Sequence, residues 1–386
     1  MHDRINMMIP KINSKIKILL VGGGTGGHFY PLISIAESLS ETTQNPDLYY
    51  AGPKKYDGDE LDANNIKYLY IPAGKRRKYF SIFNFFDFFK TILGLFVAVI
   101  QLFIIYPDVV MSKGGYTSVP VTLAAGFLRI PIIIHESDSI FGSANRFAGR
   151  FAKHIITAYD IASINKSLDN KIINLGIPIR KALQTTVSRT AIEELEVDPN
   201  RPIVLVLGGS QGAERLNDSI LATLDELLSK YTVIHQTGER NLESSVLSSE
   251  KLIPDSKIRK YYHPIGLLDA KKLNDAYHLS SVVICRAGST TLYEIALHKK
   301  PAIVIPIPEE ISRDQRSNAY EAARNGWVVV VEEKNLSDDI LASEVKRIVQ
   351  NPEIYDNMVA GTSTFIRQGS SKKIADLILK TAEEHL

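Results

Sequence analysis

Short apolar runs alternate along this chain with longer segments whose apolar positions recur at helical spacing. In the first half, Lys15–Val21, Leu48–Ala51, Lys67–Ile71, Asp108–Met111, Ile132–Ile134, His154–Ala158 and Lys171–Leu175 predict strands. Pro31–Leu39, Ile82–Ile105, Ser118–Leu128 and Ser143–Ala152 predict the helices between them. The alternation stops around Gly176–Arg180, and Ser188–Arg201 is polar, which marks a boundary. The scheme then repeats. Strands are expected at Ile203–Leu207, Thr232–Gln236, Lys260–His263, Val282–Cys285, Ala302–Ile305 and Trp327–Val331. Helices are expected at Ala213–Leu228, Leu273–Leu279, Thr290–His298, Asn318–Asn325 and Asp338–Gln350. Strand, helix, strand repeated in this way implies an α/β fold with parallel sheets covered on both faces. A last helical stretch, Ser371–Leu386, fits against either half.

A length of 386 residues suits two domains better than one core. Charged residues at 23% and hydrophobic ones at 45% are ordinary globular values, which excludes wholesale disorder. The net charge of +2 gives no reason to expect nucleic acid as a partner. The single cysteine, Cys285, excludes an internal disulfide and a thiolate metal cluster, and fits a reducing compartment. The polar leader before Lys15 does not read as a signal peptide.

Two glycine-rich turns directly follow apolar runs: Gly22-Gly23-Gly24-Thr25-Gly26-Gly27-His28 after the first, and Gly208-Gly209-Ser210-Gln211-Gly212 after Ile203–Leu207. Glycines there let backbone amides and a helix N-terminus approach an anion. Gly22, Gly24 and Gly27 spell a dinucleotide fingerprint, but Leu48–Pro53 ends without the acid that would hold a ribose, and no lysine follows either turn. Both common nucleotide motifs therefore lose ground. Cys285–Glu294 repeats the strand, glycine and helix-start pattern, with Ser289, Thr290 and Thr291 offering hydroxyls. The Glu294 carboxylate suits either ribose hydroxyls or the helix dipole. The loop at Arg313–Asn318 offers amides to sugar hydroxyls, or is a solvated helix start. Asp57-Gly58-Asp59 has the spelling of a metal motif but lies far from any glycine turn, so no metal and no cofactor are expected.

The segment Gly74–Lys90 places four cations, Lys75, Arg76, Arg77 and Lys78, beside six phenylalanines, and the apolar run continues to Tyr106. Asn84, Asp87, Lys90 and Gln101 interrupt it, and a membrane-spanning helix there would separate two strands of one sheet. A surface helix whose Lys75–Phe89 portion docks on an anionic membrane fits better, because basic and aromatic contributions add.

Together these boxes resemble the MurG family of peptidoglycan glycosyltransferases. The first turn is similar to its GGTGGH, Met111–Tyr116 to GMGGY, and His135–Asp138 to HEQN or HESD. Gly176–Arg180 is similar to GNPVR, Gly208–Gly212 to GGSQG, and Cys285–Glu294 to the donor motif. The resemblance implies a GT-B fold, two Rossmann-like domains facing each other across a cleft. Residues 15–179 would form the acceptor- and membrane-facing domain and 180–365 the UDP-sugar domain, with the helix at 366–386 returning to the first. It implies transfer of N-acetylglucosamine from UDP-N-acetylglucosamine to a lipid-linked muramyl-peptide diphosphate, peripherally, at the cytoplasmic face of the cell membrane. Arg180 and Ser210 would meet the donor diphosphate, Ser289, Thr290 and Thr291 the nucleoside and phosphates, and Glu294 the ribose. Gln315 and Asn318 would lie near the sugar, with Thr25, Gly26 and Gly27 reaching the donor across the cleft. His28, Tyr116, Glu136 and Asp138 would line the acceptor side.

The chain departs from the family pattern in three places. Asp314-Gln315 stands for DRQQ, Asp138 for the asparagine of HEQN, although related members also carry aspartate there, and Lys113 for a small or apolar residue. The expected chemistry is direct displacement with inversion, His28 or Glu136 taking the acceptor's proton while glycine-turn amides and Arg180 stabilise the leaving diphosphate. Competing readings are another GT-B transferase acting on diacylglycerol, an NAD-dependent oxidoreductase, and a non-catalytic nucleotide-sugar binder.

Overall fold

Runs of aliphatic residues too short for a helix become strands when helices can cover both faces of the sheet they build. The computed structural model describes residues 15–75, 82–161, 166–209, 213–309, 313–337 and 339–385. Its first seven strands are β1 (Lys17–Gly22), β2 (Asp47–Gly52), β3 (Lys67–Tyr70), β4 (Val109–Gly114), β5 (Ile132–Glu136), β6 (His154–Thr157) and β7 (Ile172–Asn174). They form a sheet in the order β3-β2-β1-β4-β5-β6-β7, every pair parallel. The next six are β8 (Ile203–Leu207), β9 (Thr232–Gln236), β10 (Tyr262–Ile265), β11 (Ser280–Cys285), β12 (Ala302–Val304) and β13 (Val328–Val330). They form a second parallel sheet in the order β10-β9-β8-β11-β12-β13. The fold is α/β, and four buried apolar clusters cover the faces of the two sheets.

Both orders reverse direction beside their first strand, between β1 and β4 and between β8 and β11. Ligands of such sheets bind outside the carboxyl ends of the strands at that switch point. Each switch carries the glycines noted above: Gly22 pairs with Gly114, and Leu207 and Cys285, paired with each other, run into Gly208 and Gly288.

Several boundaries differ from expectation for local reasons. Helix α1 (Gly26–Ser40) begins inside the glycine turn rather than at Pro31, because Gly26 and Gly27 take helical geometry. Pro31 then sits within the helix and leaves the Gly27 carbonyl without its usual donor. The helix expected over Ala213–Leu228 divides into Glu214–Ala222 and Leu224–Leu228, and at the join Thr223 Oγ1 donates to the Ser219 carbonyl (2.6 Å). The strand expected at Lys260–His263 is found at Tyr262–Ile265, an edge position where Pro264 costs no ladder bond. Helices Leu242–Leu252 and Pro352–Phe365 were not foreseen, since few apolar residues mark their periodicity. In the second, Asn351 caps Ile354 N (3.2 Å) and Pro352 opens the first turn.

Helix α2 (Gly58–Ala63) is capped by Asp57, whose carboxylate accepts from Glu60 N and Tyr30 Oη. Helix α3 (Phe83–Ile105) crosses one face of the first sheet, followed by α4 (Val119–Phe127) and α5 (Ser143–Ala148). The terminal helix Ser370–Glu383 places Ile374, Ile378, Leu379 and Ala382 in one cluster with Phe29, Leu32, Ile33 and Ala36 of α1. Ser34 and Ser371 share a hydrogen bond of 2.7 Å across that contact.

Candidate functional site

The turn after β1 delivers its backbone into α1 with no side chain capping the helix's first amides. Acidic residues are also absent from that first turn, so the positive end of the helix is open to an anion. Thr25 Oγ1 lies 2.9 Å from His28 Nδ1 and fixes the imidazole at the rim. Burial pushes the His28 pKa down to about 4, the Lys113 ammonium adds to that, and Asp138 opposes it, so the ring is neutral at pH 7. A Cβ on Gly24 would stand 3.2 Å from the Tyr116 ring, which places that phenol beside the same turn.

The end of β5 supplies a buried carboxylate. Glu136 Oε2 accepts from Gly142 N (2.8 Å) and Asn145 Nδ2 (3.0 Å), and Oε1 accepts from Asp138 N (3.2 Å). Burial and the neighbouring Asp138 raise its pKa, against Gly142, Lys113 and Asn145. Three donors hold this carboxylate in the loop that carries Asp138 and Ser139. His135, fully buried, contacts the Gly176 carbonyl through Nε2 (2.9 Å).

That loop meets the second half of the chain. Asp138 Oδ1 accepts from Ser289 Oγ (2.7 Å) and Asn318 Nδ2 (2.9 Å). Ser139 donates through N (2.8 Å) and Oγ (2.9 Å) to Asn318 Oδ1. A Cβ on Gly27 would lie 3.8 Å from Thr290 Oγ1, so the first glycine turn and the start of helix Ser289–Leu297 face one seam. This helix too begins at a glycine, Gly288, with no side-chain cap. An open cavity of about 600 Å³ lies at the seam's edge, lined by Ser139, Ile140, Arg316, Ser317, Tyr320 and Glu321 among others.

Behind the seam, Glu294 is buried and accepts from Tyr277 Oη (3.1 Å). Burial raises its pKa to about 7, although Arg180 and the Tyr277 hydroxyl favour the ionised form. The Arg180 guanidinium stacks 4.0 Å from the centroid of Tyr30 and pairs with Glu60 at 3.5 Å, while its Nε has no hydrogen-bond partner. Thr291 Oγ1 lies beside Gly288, and Gln315 Oε1 accepts from Ile307 N (3.4 Å). Ser210 lies outside the described residues, as do Arg76, Arg77 and Lys78. Among the described residues no group of three or more His, Cys, Asp or Glu side chains is arranged to hold a metal.

Two family models divide the chain between them. The glycosyltransferase family 28 N-terminal domain matches residues 18–157, and the family 28 C-terminal domain matches 203–377. A Treponema denticola protein named UDP-N-acetylglucosamine–N-acetylmuramyl-(pentapeptide) pyrophosphoryl-undecaprenol N-acetylglucosamine transferase is 32% identical over 94% of this chain and 96% of its own length. A Lachnospira eligens protein of the same name is 34% identical over 94% of this chain and 98% of its own. The chain belongs to the MurG family of glycosyltransferases. The crystal structure of Acinetobacter baumannii MurG has the same fold, with a TM-score of 0.70 at 22% identity over 95% of this chain and 99% of that one. The two parallel sheets are therefore those of a GT-B enzyme.

Most of the MurG boxes lie along the seam, and several partners there carry no motif of their own. Ser139, Asn145 and Tyr277 were not singled out from sequence, although each holds a residue that was: Asn318, Glu136 and Glu294. A second surface is apolar. Along α3 the buried positions are Gly94, Ala98 and Leu102, a single stripe at a spacing of four, while Phe83, Phe85, Phe86, Phe88, Phe89, Phe96 and Phe103 are exposed. Phe127, Phe147 and Phe151 of the adjoining α4 and α5 region are exposed as well, among the exposed cations Lys90, Arg129, Arg146 and Arg150. By length and composition Phe85–Ile105 could cross a membrane, but Ala98 and Leu102 sit in the cluster that covers the sheet.

Proposed function

We propose that this protein transfers N-acetylglucosamine from UDP-N-acetylglucosamine to a lipid-linked N-acetylmuramyl-peptide diphosphate, with inversion and without a metal. The observation that carries the reading is the seam itself. Two uncapped helix starts, at Gly26 and Ser289, come together there from the two switch points, with Gly27 against Thr290. Two anion-binding helix ends facing one gap suit a reaction between two diphosphate substrates. Residues 180–365 would hold the donor, Arg180 and the amides after β8 and β11 taking its diphosphate and Glu294 its ribose hydroxyls. Residues 15–179 would hold the acceptor.

His28 is the proposed base. Its ring is neutral at the rim of the turn, and a bound diphosphate would add negative charge beside it and raise its proton affinity towards the working range. Glu136, already accepting from three donors, would act by fixing the loop of Asp138. The exposed face of α3, with Phe85–Phe89 and the cations around it, would dock on the anionic cytoplasmic surface of the cell membrane and bring the seam to its lipid-linked substrate. Nucleic acid has no place in this scheme.

The test is a donor screen with a lipid-diphosphate acceptor present, UDP-N-acetylglucosamine against UDP-glucose and NAD. Turnover with the first alone is expected, and equal use of UDP-glucose would refute the assigned donor. His28→Ala should abolish turnover and leave UDP binding nearly intact; unchanged turnover removes His28 as the base.

A further inference from the structure

Lys113 is 1% exposed, and its Nζ has no hydrogen-bond partner. It sits at the end of β4, next to Gly114, which pairs with Gly22 at the start of the glycine turn. A Cβ on Gly22 would stand 2.6 Å from the Lys113 Cβ, so the lysine stem lies directly against the root of that turn. An unpaired ammonium buried in protein costs several kcal/mol unless opposite charge lies near. Here the opposite charges are the carboxylates of Glu136 and Asp138, which counter the desolvation of the lysine. Burial lowers its pKa only to about 8, and it remains charged at neutral pH.

We infer that Lys113 is a positioning residue of the proposed transfer reaction, a sealed cation whose charge sets the protonation of His28 and is balanced by Asp138 and Glu136. This rests on the reading of His28 as base. A Cβ on Gly115, two residues beyond Lys113, would stand 3.7 Å from His28 Cδ2 and Nε2, so the end of β4 lies against the ring. The charged groups that act on the ring are Lys113 on β4 and Asp138 in the loop after β5, and the ring in turn acts on the buried His135 of β5. Tyr50 reaches the glycine turn from β2 and donates to the Gly22 carbonyl (2.7 Å). The two charges act on His28 in opposite directions: Lys113 favours the neutral ring and Asp138 the protonated one.

The test uses the full chain as wild type, K113M, D138N and the double variant K113M/D138N. The His28 imidazole is titrated by NMR, assigned by its loss in H28A, alongside kcat/KM between about pH 4 and pH 9. In K113M the imidazole midpoint and the acidic limb of kcat/KM are expected to rise by about one unit, because a like charge has been removed. Activity at pH 4 should fall about fivefold relative to wild type, with UDP affinity by calorimetry within about threefold. In the double variant, where the removed cation and removed anion cancel, both midpoints return towards wild type. A midpoint unmoved in K113M, or moved equally in the double variant, overturns the inference. If K113M does not fold, the double variant is expected to fold and bind UDP, and its failure to do so overturns the inference too. H28A that retains turnover sinks the base reading and with it any bearing of Lys113 on the reaction. An unmoved imidazole in an enzyme that still depends on His28 sinks the inference alone.

Discussion

Replacing Phe85 and Phe89 by serine would separate the proposed membrane docking from the chemistry at the seam. Both side chains are exposed, by 62% and 54%, and they meet edge to face at 4.9 Å between centroids, away from the sheet. Full burial of a phenylalanine is worth roughly 1.5–3 kcal/mol. These rings already have a little under half their surface covered, so a bilayer would gain about 1–1.5 kcal/mol from each. The double variant F85S/F89S should then lose about 2–3 kcal/mol of membrane affinity, a partition coefficient lowered about 30- to 150-fold. Stability should change little, since the buried stripe Gly94, Ala98 and Leu102 is untouched. Sedimentation with anionic vesicles measures the partition directly. Turnover of an acceptor embedded in those vesicles should fall with it, while turnover of a short-chain, water-soluble acceptor should not. Raising the salt should weaken the residual binding, because Lys90, Arg129, Arg146 and Arg150 contribute about 1 kcal/mol each only within a Debye length of the lipid charge. Partition unchanged in F85S/F89S would refute the docking face; equal loss with the soluble acceptor would show that α3 supports the site and not the membrane contact.

If Glu294 holds the donor's ribose as proposed, donor affinity is pH-dependent. The Glu294 pKa stands near 7, raised from 4.5 by burial, and both carboxylate oxygens accept from a pair of ribose hydroxyls only when the group is ionised. Affinity for UDP-N-acetylglucosamine, whose doubly esterified diphosphate does not titrate in this range, should therefore rise with pH through neutrality and level off above it. The difference is about tenfold between pH 6 and pH 8 by calorimetry, and a flat profile would remove Glu294 from the ribose. The same elevation has a stability consequence of fixed sign: the fold binds an extra proton that the unfolded chain does not, so it loses stability as pH rises from 4.5 towards 7. Gly114→Ala should damage the site from beneath. Gly114 has φ +83°, and a Cβ there would lie 2.4 Å from Asn145 Oδ1, displacing the amide that donates to Glu136. A loss of about 1–3 kcal/mol is expected in thermal unfolding, with turnover reduced; wild-type Tm would contradict it.

Buried parallel strands are legible because they are unbroken apolar runs with glycine at their carboxyl ends. Ile203–Leu207 and Thr232–Gln236 form where the pattern places them. Helix ends were less legible, since Gly26 and Gly27 read as turn residues until the fold draws them into α1. The boxes containing His28, Ser289 and Glu294 could be read from residue type and spacing, and the one containing Glu136 only from its resemblance to a family box. Their partners could not, because Asp138 and Ser289 stand 151 residues apart and Tyr277 carries no motif that points at Glu294. Lys113 is visible as an odd residue in its box, but only tertiary packing seals its ammonium under the turn.

The hydrogen bonds across the seam bear on how a donor would enter. Ser289 Oγ has one proton, and it is given to Asp138 Oδ1; Asn318 gives Nδ2 to the same oxygen. A diphosphate at the start of helix Ser289–Leu297 would need that hydroxyl and would bring further negative charge against the Asp138 carboxylate, a repulsion that low dielectric strengthens. Asp138 and the donor's phosphates therefore compete for one side of the seam, and the carboxylate has a cation to turn towards in Lys113. Donor binding at the proposed site would break the contact between Asp138 and helix Ser289–Leu297, while Ser139 keeps its two hydrogen bonds to Asn318 and holds the halves of the chain together across the seam.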